Sequence, residues 1–259
     1  MKKIVSTSLL IFCVFGTAFG QVPAGPPDTV ALSDSISFKT RHKQRAIEYI
    51  VPAVFIGYGL VSLAGDNVIR RLDYTTNNEL REDHPAFAQK ADNYLRYVPA
   101  VAVYGLDLAG VKAKHNLVDR SAMLLMSALI AQGSISGIKS ITGRTRPNGL
   151  SDNSFPSGHT SMAFMSAEFL FQEYKDQSVW YGIGGYAIAT GTGILRLYNN
   201  AHWVSDVVAG AGFGILSTKL TYLAYPYIRK KLFHGKSANL IFSPGYQNGG
   251  MNFNLIKRF

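Results

Sequence analysis

The sequence predicts an all-α protein: a bundle of about six helices, membrane-embedded or membrane-associated, followed by a short C-terminal β-hairpin-like tail. Three observations predict it. Apolar segments of helical length recur from Ile47 to Ile228, joined by polar or charged stretches. Partial alternation of apolar and polar residues is confined to the stretch after Asn239. Composition sets 47% hydrophobic and 12% aromatic residues against 16% charged, which leans towards lipid, although a mean hydropathy of +0.07 is low for a chain mostly buried in a bilayer. The 259 residues suffice for one domain with a sizeable core.

Residues 1–20 read as a signal peptide: Lys2 and Lys3 form a basic start, Ile4 to Phe15 an apolar run, and Ala18-Phe19-Gly20 a small-residue exit before Gln21. A first transmembrane helix is the competing reading, for which the run is short. The single cysteine, Cys13, follows bulky Phe12, unlike a lipoprotein acylation site, so the processed chain has neither a disulfide nor a thiolate metal site. Cleavage removes two lysines and no acids, lowering the formal charge from +10 to +8. Such a basic chain suits an anionic surface or substrate. It carries no basic tract with interleaved aromatics, so nucleic acid is set aside as a partner.

Residues 21–38, rich in Pro, Gly and Ser, form an exposed lead-in, and 39–232 the helical domain. Lys39 to Arg45 is a basic run before Ile47 to Gly65, an apolar segment long enough to span a bilayer with Glu48 at its edge. Residues 66–93 are polar, a helical or irregular excursion. Tyr97 to Val111 is apolar but short, with Asp107 near a helix end. Ser121 to Ile138 and Thr160 to Tyr174 are the next helices, with Glu168 and Glu173 expected to face solvent or headgroups. Val179 to Leu195 follows, then Trp203 to Ile228, where Gly210, Gly212 and Gly214 permit close helix packing. His42, His84, His115 and His234 read as surface residues. In the tail, 233–259, Gly249-Gly250 separates Leu240-Ile-Phe from Met251-Asn-Phe-Asn-Leu-Ile.

Three stretches concentrate the chemistry: Lys139 to Pro147 with Arg146, Pro156-Ser157-Gly158-His159-Thr160, and Arg196 to Asp206 with His202. Each lies at a helix end. If the Thr160 and Val179 helices run out and back, all three meet at one end of the bundle. Two arginine forks and a lysine suit a tetrahedral oxyanion, and the start of the Thr160 helix adds free amides and a favourable dipole. No acidic cluster accompanies them to hold Mg²⁺, so the cations would neutralise the charge alone and no metal or other cofactor is expected. His202 and Asp206, four apart, share a helical face; a carboxylate on one imidazole nitrogen raises the basicity of the other, as a nucleophile towards phosphorus requires. His159, from the opposite wall, is placed to protonate a departing oxygen. Singly each stretch reads more simply as a cap, a structural His–Asp bond or a membrane-flanking basic cluster. All three in order, each at a helix end, do not.

These residues resemble the signature of the type 2 phosphatidic acid phosphatase and vanadium haloperoxidase superfamily: Lys-x6-Arg-Pro, Pro-Ser-Gly-His and Arg-x5-His-x3-Asp, over roughly residues 45 to 230 at the level of helix order. The resemblance implies that Lys139, Arg146 and Arg196 bind phosphate with help from Ser157 and Gly158. It further implies that His202 forms a phosphohistidine, Asp206 orients it, and His159 is the general acid. Leu195 stands where the family usually has serine. The implied reaction is metal-independent release of phosphate from a lipid phosphomonoester or diphosphate. The tail and Tyr198 to Trp203 resemble Gram-negative lipid phosphatases acting at the periplasmic face, which points to lipid A or undecaprenyl diphosphate as substrate. A soluble broad-specificity acid phosphatase and a vanadate-dependent haloperoxidase are the alternatives.

Orientation is argued both ways. Lys39 to Arg45, Lys112 to Arg120, Lys175 and Arg229 to Lys231, as cytoplasmic flanks, leave the three stretches periplasmic. A cleaved signal followed by six crossings would put them in the cytoplasm. The two agree if the signal-like segment stays uninserted, if Tyr97 to Val111 does not cross, or if the bundle is secreted. Every case gives a site facing the periplasm of a Gram-negative envelope, with the inner membrane as the expected partner surface. Oligomeric state is not legible.

Overall fold

Helix boundaries in this chain fall where side chains or glycines can close the ends of the backbone ladder. The computed structural model describes residues 47–233, 239–247 and 250–258; the expected signal peptide, lead-in and Lys39 to Arg45 run, with His42 and His234, lie outside the described residues. Among the described residues there are eight helices: α1 (Ile50–Val61), α2 (Val68–Asp83), α3 (Asp92–Leu95), α4 (Val98–Leu108), α5 (Leu117–Thr142), α6 (Gly158–Tyr174), α7 (Val179–Tyr198) and α8 (Val204–Phe233). Asn67, Asn116, Ser157 and Ser178 cap α2, α5, α6 and α7 by accepting from a first-turn amide. Gly143 ends α5 at φ 53°, in the left-handed region that glycine enters without a Cβ penalty.

The Ile47 to Gly65 segment is not one bilayer-length helix. Its helix α1 has 12 residues, about 18 Å at 1.5 Å per residue and well short of a hydrocarbon core of about 30 Å. The chain turns at Ser62, whose hydroxyl donates to Gly59 O at 2.6 Å. Residues 66–93, by contrast, are helical over most of their length. Strands β1 (Asn239–Gln247) and β2 (Gly250–Arg258) form the antiparallel hairpin expected of the tail, in register from Asn239 opposite Arg258 to Gln247 opposite Gly250.

Helix α6 is the axis of the bundle. It packs against α4, α5, α7 and α8, and most of its residues are buried. Its close fit to α8 comes from glycine: a Cβ at Gly210 would lie 2.5 Å from Ser157 O, and one at Gly214 would collide with Ser161 O. Because α6 is covered all round, Glu168 and Glu173 are buried at 1% exposure and do not face solvent or headgroups. Glu168 pairs with Lys219 at 3.0 Å and accepts from Gln172 and Tyr186. Glu173 accepts from the His115 amide at 3.0 Å, meets the His115 ring at 2.8 Å, and accepts from Tyr222. His115 is therefore half-buried and hydrogen-bonded to Glu173, not a free surface residue. Asp107 does lie near a helix end, bound to Arg120 at 2.6 Å.

Two helices, α5 and residues 204–231 of α8, are long and apolar enough to cross a membrane. Only 22% of the α5 window is buried, and Leu125 and Leu129 stand outside at 61% and 65% exposure. A core helix of a soluble protein would have these faces covered.

Candidate active site

The C-terminal ends of α5 and α7 and the N-terminal ends of α6 and α8 come together, bringing the three sequence stretches to one end of the bundle. Lys139, in the last turn of α5, donates to the carbonyls of Asn153 and Ser154. Arg146 holds Asn153 Oδ1 through Nε at 3.0 Å, within a loop closed by Arg146 N to Ser151 O at 2.9 Å and Ser154 N to Arg144 O at 2.8 Å. Arg196 enters from the end of α7. Lys139, Arg146, Arg196 and Asp206 all lie within electrostatic reach of one another.

Ser157 is the fully buried N-cap of α6. Its hydroxyl is engaged with Thr160, and its amide donates to Asp206 O at 3.0 Å. What α6 offers an anion is thus the first-turn amides at Gly158 and His159, for which the helix has no acceptor. The His159 ring meets Asn93 Oδ1 through Nε2 at 2.8 Å. Burial chiefly, then Arg196 and Arg96, lower the His159 pKa to about 4.

His202 sits just before α8, 2% exposed. Its Nδ1 faces Asp206 Oδ2 at 3.6 Å, too long for a hydrogen bond, so this buried nitrogen has no hydrogen-bond partner among the described residues. With Nδ1 on the Asp206 side, Nε2 points away from the carboxylate. Burial lowers the His202 pKa to about 4 against the opposing pull of Asp206, leaving a neutral imidazole at neutral pH. The Nε of Arg196 is likewise buried without a partner. Buried polar nitrogens left without a partner among the described residues call for one from outside them.

Asp206 is held by more than the sequence suggests. Oδ1 accepts from Arg144 at 2.8 Å; Oδ2 accepts from Ser154 Oγ at 2.5 Å and the Trp203 amide at 3.0 Å. The same Arg144 guanidinium pairs with buried Asp73 at 2.7 Å, and Asp73 accepts from both the amide (2.8 Å) and hydroxyl (2.5 Å) of Ser205. Sequence reading missed Arg144, Asp73 and Ser154. Arg144 lies inside the first stretch, two residues before Arg146, yet nothing local reveals its partners. It also missed α3, which covers the site: buried Asp92 pairs with Arg196 at 2.5 Å, and its neighbour Asn93 holds His159.

Residues 121–230 match the family model described as the PAP2 superfamily. The chain is 33% identical over 209 residues to the lipid A 1-phosphatase of Porphyromonas gingivalis, covering 75% of this chain and 44% of that protein. It is 36% identical over 75 residues to the bacitracin transport permease protein BcrC of Bacillus licheniformis, covering 29% of this chain and 35% of that one. The chain therefore spans less than half the length of these curated relatives. Among solved structures it is similar to LpxE of Aquifex aeolicus (TM-score 0.41, 20% identity, 56% of this chain and 93% of that one). It is also similar to a transmembrane PAP2-type phosphatidylglycerolphosphate phosphatase of Bacillus subtilis (TM-score 0.47, 18% identity, 72% and 99%).

Proposed function

We propose that this chain, whose residues 121–230 match the PAP2 superfamily model, is a metal-independent phosphatase acting on a lipid phosphomonoester or diphosphate through a phosphohistidine. The observation that carries this reading is a buried, neutral His202 beside three convergent cations, with the Arg196 Nε left without an acceptor.

In this reading the phosphate lies among Lys139, Arg146, Arg196 and the amides of Gly158 and His159, which neutralise charge on its equatorial oxygens. Nε2 of His202 attacks phosphorus in line. A P–N bond forms as the P–O bond to the lipid breaks, and His159 hands a proton to the leaving oxygen. Asp206, fixed by Arg144, Ser154 and the Trp203 amide, closes on Nδ1 as positive charge grows on the ring. Water then attacks the phosphohistidine with His159 as base; the P–N bond breaks and inorganic phosphate leaves. An anionic phosphate beside His159 opposes the effect of Arg196 and favours the protonated imidazole the first step needs.

The uncovered apolar faces of α5 support a membrane location. Lys112 and Lys114 before α5, and Arg229, Lys230 and Lys231 at the end of α8, lie away from the site. By the positive-inside tendency these flanks are cytoplasmic and the site is periplasmic. Purified protein in detergent with EDTA should release phosphate from a lipid phosphate, and a base-stable, acid-labile phosphoenzyme should accumulate on rapid quenching. Absence of release, or a requirement for Mg²⁺, refutes the reading.

A further inference from the structure

Behind His202 one guanidinium stands between two carboxylates. Arg144 donates through Nη2 to Asp73 Oδ2 at 2.7 Å and through Nη1 to Asp206 Oδ1 at 2.8 Å. The same Nη1 reaches Ser205 Oγ at 2.8 Å and Ser62 Oγ at 3.2 Å. Both carboxylates are buried, so little water screens the three charges. The other hydrogen bonds of the two acids come from neutral donors: the Ser205 amide and hydroxyl on Asp73, the Ser154 hydroxyl and the Trp203 amide on Asp206. The cluster therefore carries one net negative charge.

Asp206 needs no second acid to be held in place, and burying one costs free energy. Asp73 also sits on α2, outside residues 121–230 that match the family model. What it adds to the pair of Arg144 and Asp206 is the excess charge. That excess lies close to the ring, because Asp73 and His202 line the same small cavity and His202 Nδ1 faces Asp206 Oδ2. In the proposed reaction Nε2 takes the phosphoryl group, and the ring passes from a neutral imidazole to a phosphorylated imidazolium. A neutral pair of Arg144 and Asp206 would meet the new positive charge with a dipole only. With Asp73 present, a whole opposite charge is already in place before the reaction begins.

We propose that Asp73 is a positioning residue for the nucleophile: acting through Arg144 and Asp206, it keeps one net negative charge behind His202 and so favours the charged phosphohistidine. The role rests on the phosphatase reading above. It is one-sided by nature. A cluster that stabilises the imidazolium also makes it a poorer leaving group, so Asp73 speeds phosphoryl transfer to His202 and does not speed the hydrolysis that follows.

The test is rapid-quench kinetics in detergent, with whichever of radiolabelled lipid A, phosphatidic acid and undecaprenyl diphosphate wild type turns over fastest. Asp73→Asn keeps the volume and removes the charge. It should slow phosphoenzyme formation about tenfold, the scale of one partly screened charge acting on a developing one. Breakdown of the phosphoenzyme should be unchanged or faster. Inhibition by inorganic phosphate should stay within about twofold, because the hydrogen bonds of Asp73 go to Arg144 and Ser205 and not to the cradle. Combining Asp73→Asn with Arg144→Gln removes one charge of each sign, returns the cluster to one net negative charge, and should recover most of the lost formation rate. Equal slowing of both steps, formation at the wild-type rate in Asp73→Asn, or a double variant no faster than the single one assigns Asp73 to architecture and overturns the role. If Asp73→Asn does not fold, the double variant decides: formation within about threefold of wild type supports the role, and a greater loss overturns it. Wild type inactive on all three lipids overturns the phosphatase reading itself, a different result.

Discussion

Helix α6 has buried polar chemistry at both ends, and the ends are built on opposite principles. Towards its C-terminus the two buried acids of the helix have resident partners: Glu168 with Lys219, Gln172 and Tyr186, and Glu173 with His115 and Tyr222. At its N-terminus the balance is left open. Lys139, Arg146 and Arg196 converge on a space beside neutral histidines, and two buried nitrogens, Arg196 Nε and His202 Nδ1, lack partners. Buried ions are tolerated when paired and costly when not. The two acids of the far end are therefore neutralised from within, while in the proposed reading the near end is completed by an anionic ligand.

The sharpest way to break this comparison is His202→Ala. If the near end exists for chemistry, kcat/KM falls by at least about 10³-fold, as expected on removing a nucleophile, with thermal stability unchanged or improved because a buried polar ring is gone. Loss of stability with turnover intact would assign His202 to architecture. Arg144→Ala tests the boundary between the two regimes, since Arg144 alone neutralises buried Asp73 and Asp206 together. Removing it strands two carboxylates and should cost about 3–5 kcal/mol by the scale of broken buried pairs, read as a lowered unfolding temperature in detergent. Arg144→Lys should recover less than half of this, because one ammonium cannot reproduce the fork.

Glu168→Gln strikes the far end. Lys219 then loses its 3.0 Å partner and keeps only the exposed Glu48 at 3.9 Å, and stability should drop by about 2–3 kcal/mol while kcat/KM stays within about twofold. Adding Lys219→Met, which removes the buried cation left without its close partner, should restore most of the stability. A large loss of turnover in either variant would mean that the two ends are coupled.

Much of the near end was legible in the sequence because helix-terminal motifs put their chemistry where the helices stop. Lys139, Ser157, Gly158, His159, Arg196, His202 and Asp206 occupy end positions, and gathering helix ends gathers them. Gly210 and Gly214 were legible as contact points for the same reason. What escaped was set by long-range pairing. Asp73 reaches Arg144 across 71 residues and Asp92 reaches Arg196 across 104, and no periodicity records such a meeting. Glu168 and Glu173 were misplaced because an acidic residue on a short apolar helix reads as a surface residue until every face of that helix is seen to be covered. The Ile47 to Gly65 segment misled in the opposite sense: continuous apolarity carried no sign of the turn at Ser62.

The pH dependence sharpens the comparison without a mutation. His202, lowered by burial to about 4 from an ordinary 6.5, must be neutral to attack. Its contribution to kcat/KM is therefore full above that value and lost as pH falls through about 4, not through 6.5. The same shift makes stability fall between pH 6.5 and 4, since the unfolded chain takes up the proton first. An acid limb near 6.5 would mean that His202 is solvated and that the near end is an ordinary surface.

The smallest expected effect concerns the one ion pair that joins the near end's logic to the far end's. Asp92 on α3 contacts Arg196 at 2.5 Å through a single nitrogen and leaves Nε without a partner. This pair differs from Glu168 with Lys219 in that a phosphate must share or take over the arginine, so the carboxylate competes with the ligand even as it stabilises the empty site. Asp92→Asn retains the volume and an acceptor oxygen but removes the charge. Inorganic phosphate should then inhibit the enzyme about two- to fivefold more tightly, because one charge opposing the ligand at Arg196 is gone. Stability without phosphate should fall slightly, because three cations lose a counter-charge. If phosphate instead inhibits more weakly, Asp92 acts by aiming Arg196 at the ligand, and the pair belongs with the permanent contacts at the other end of α6.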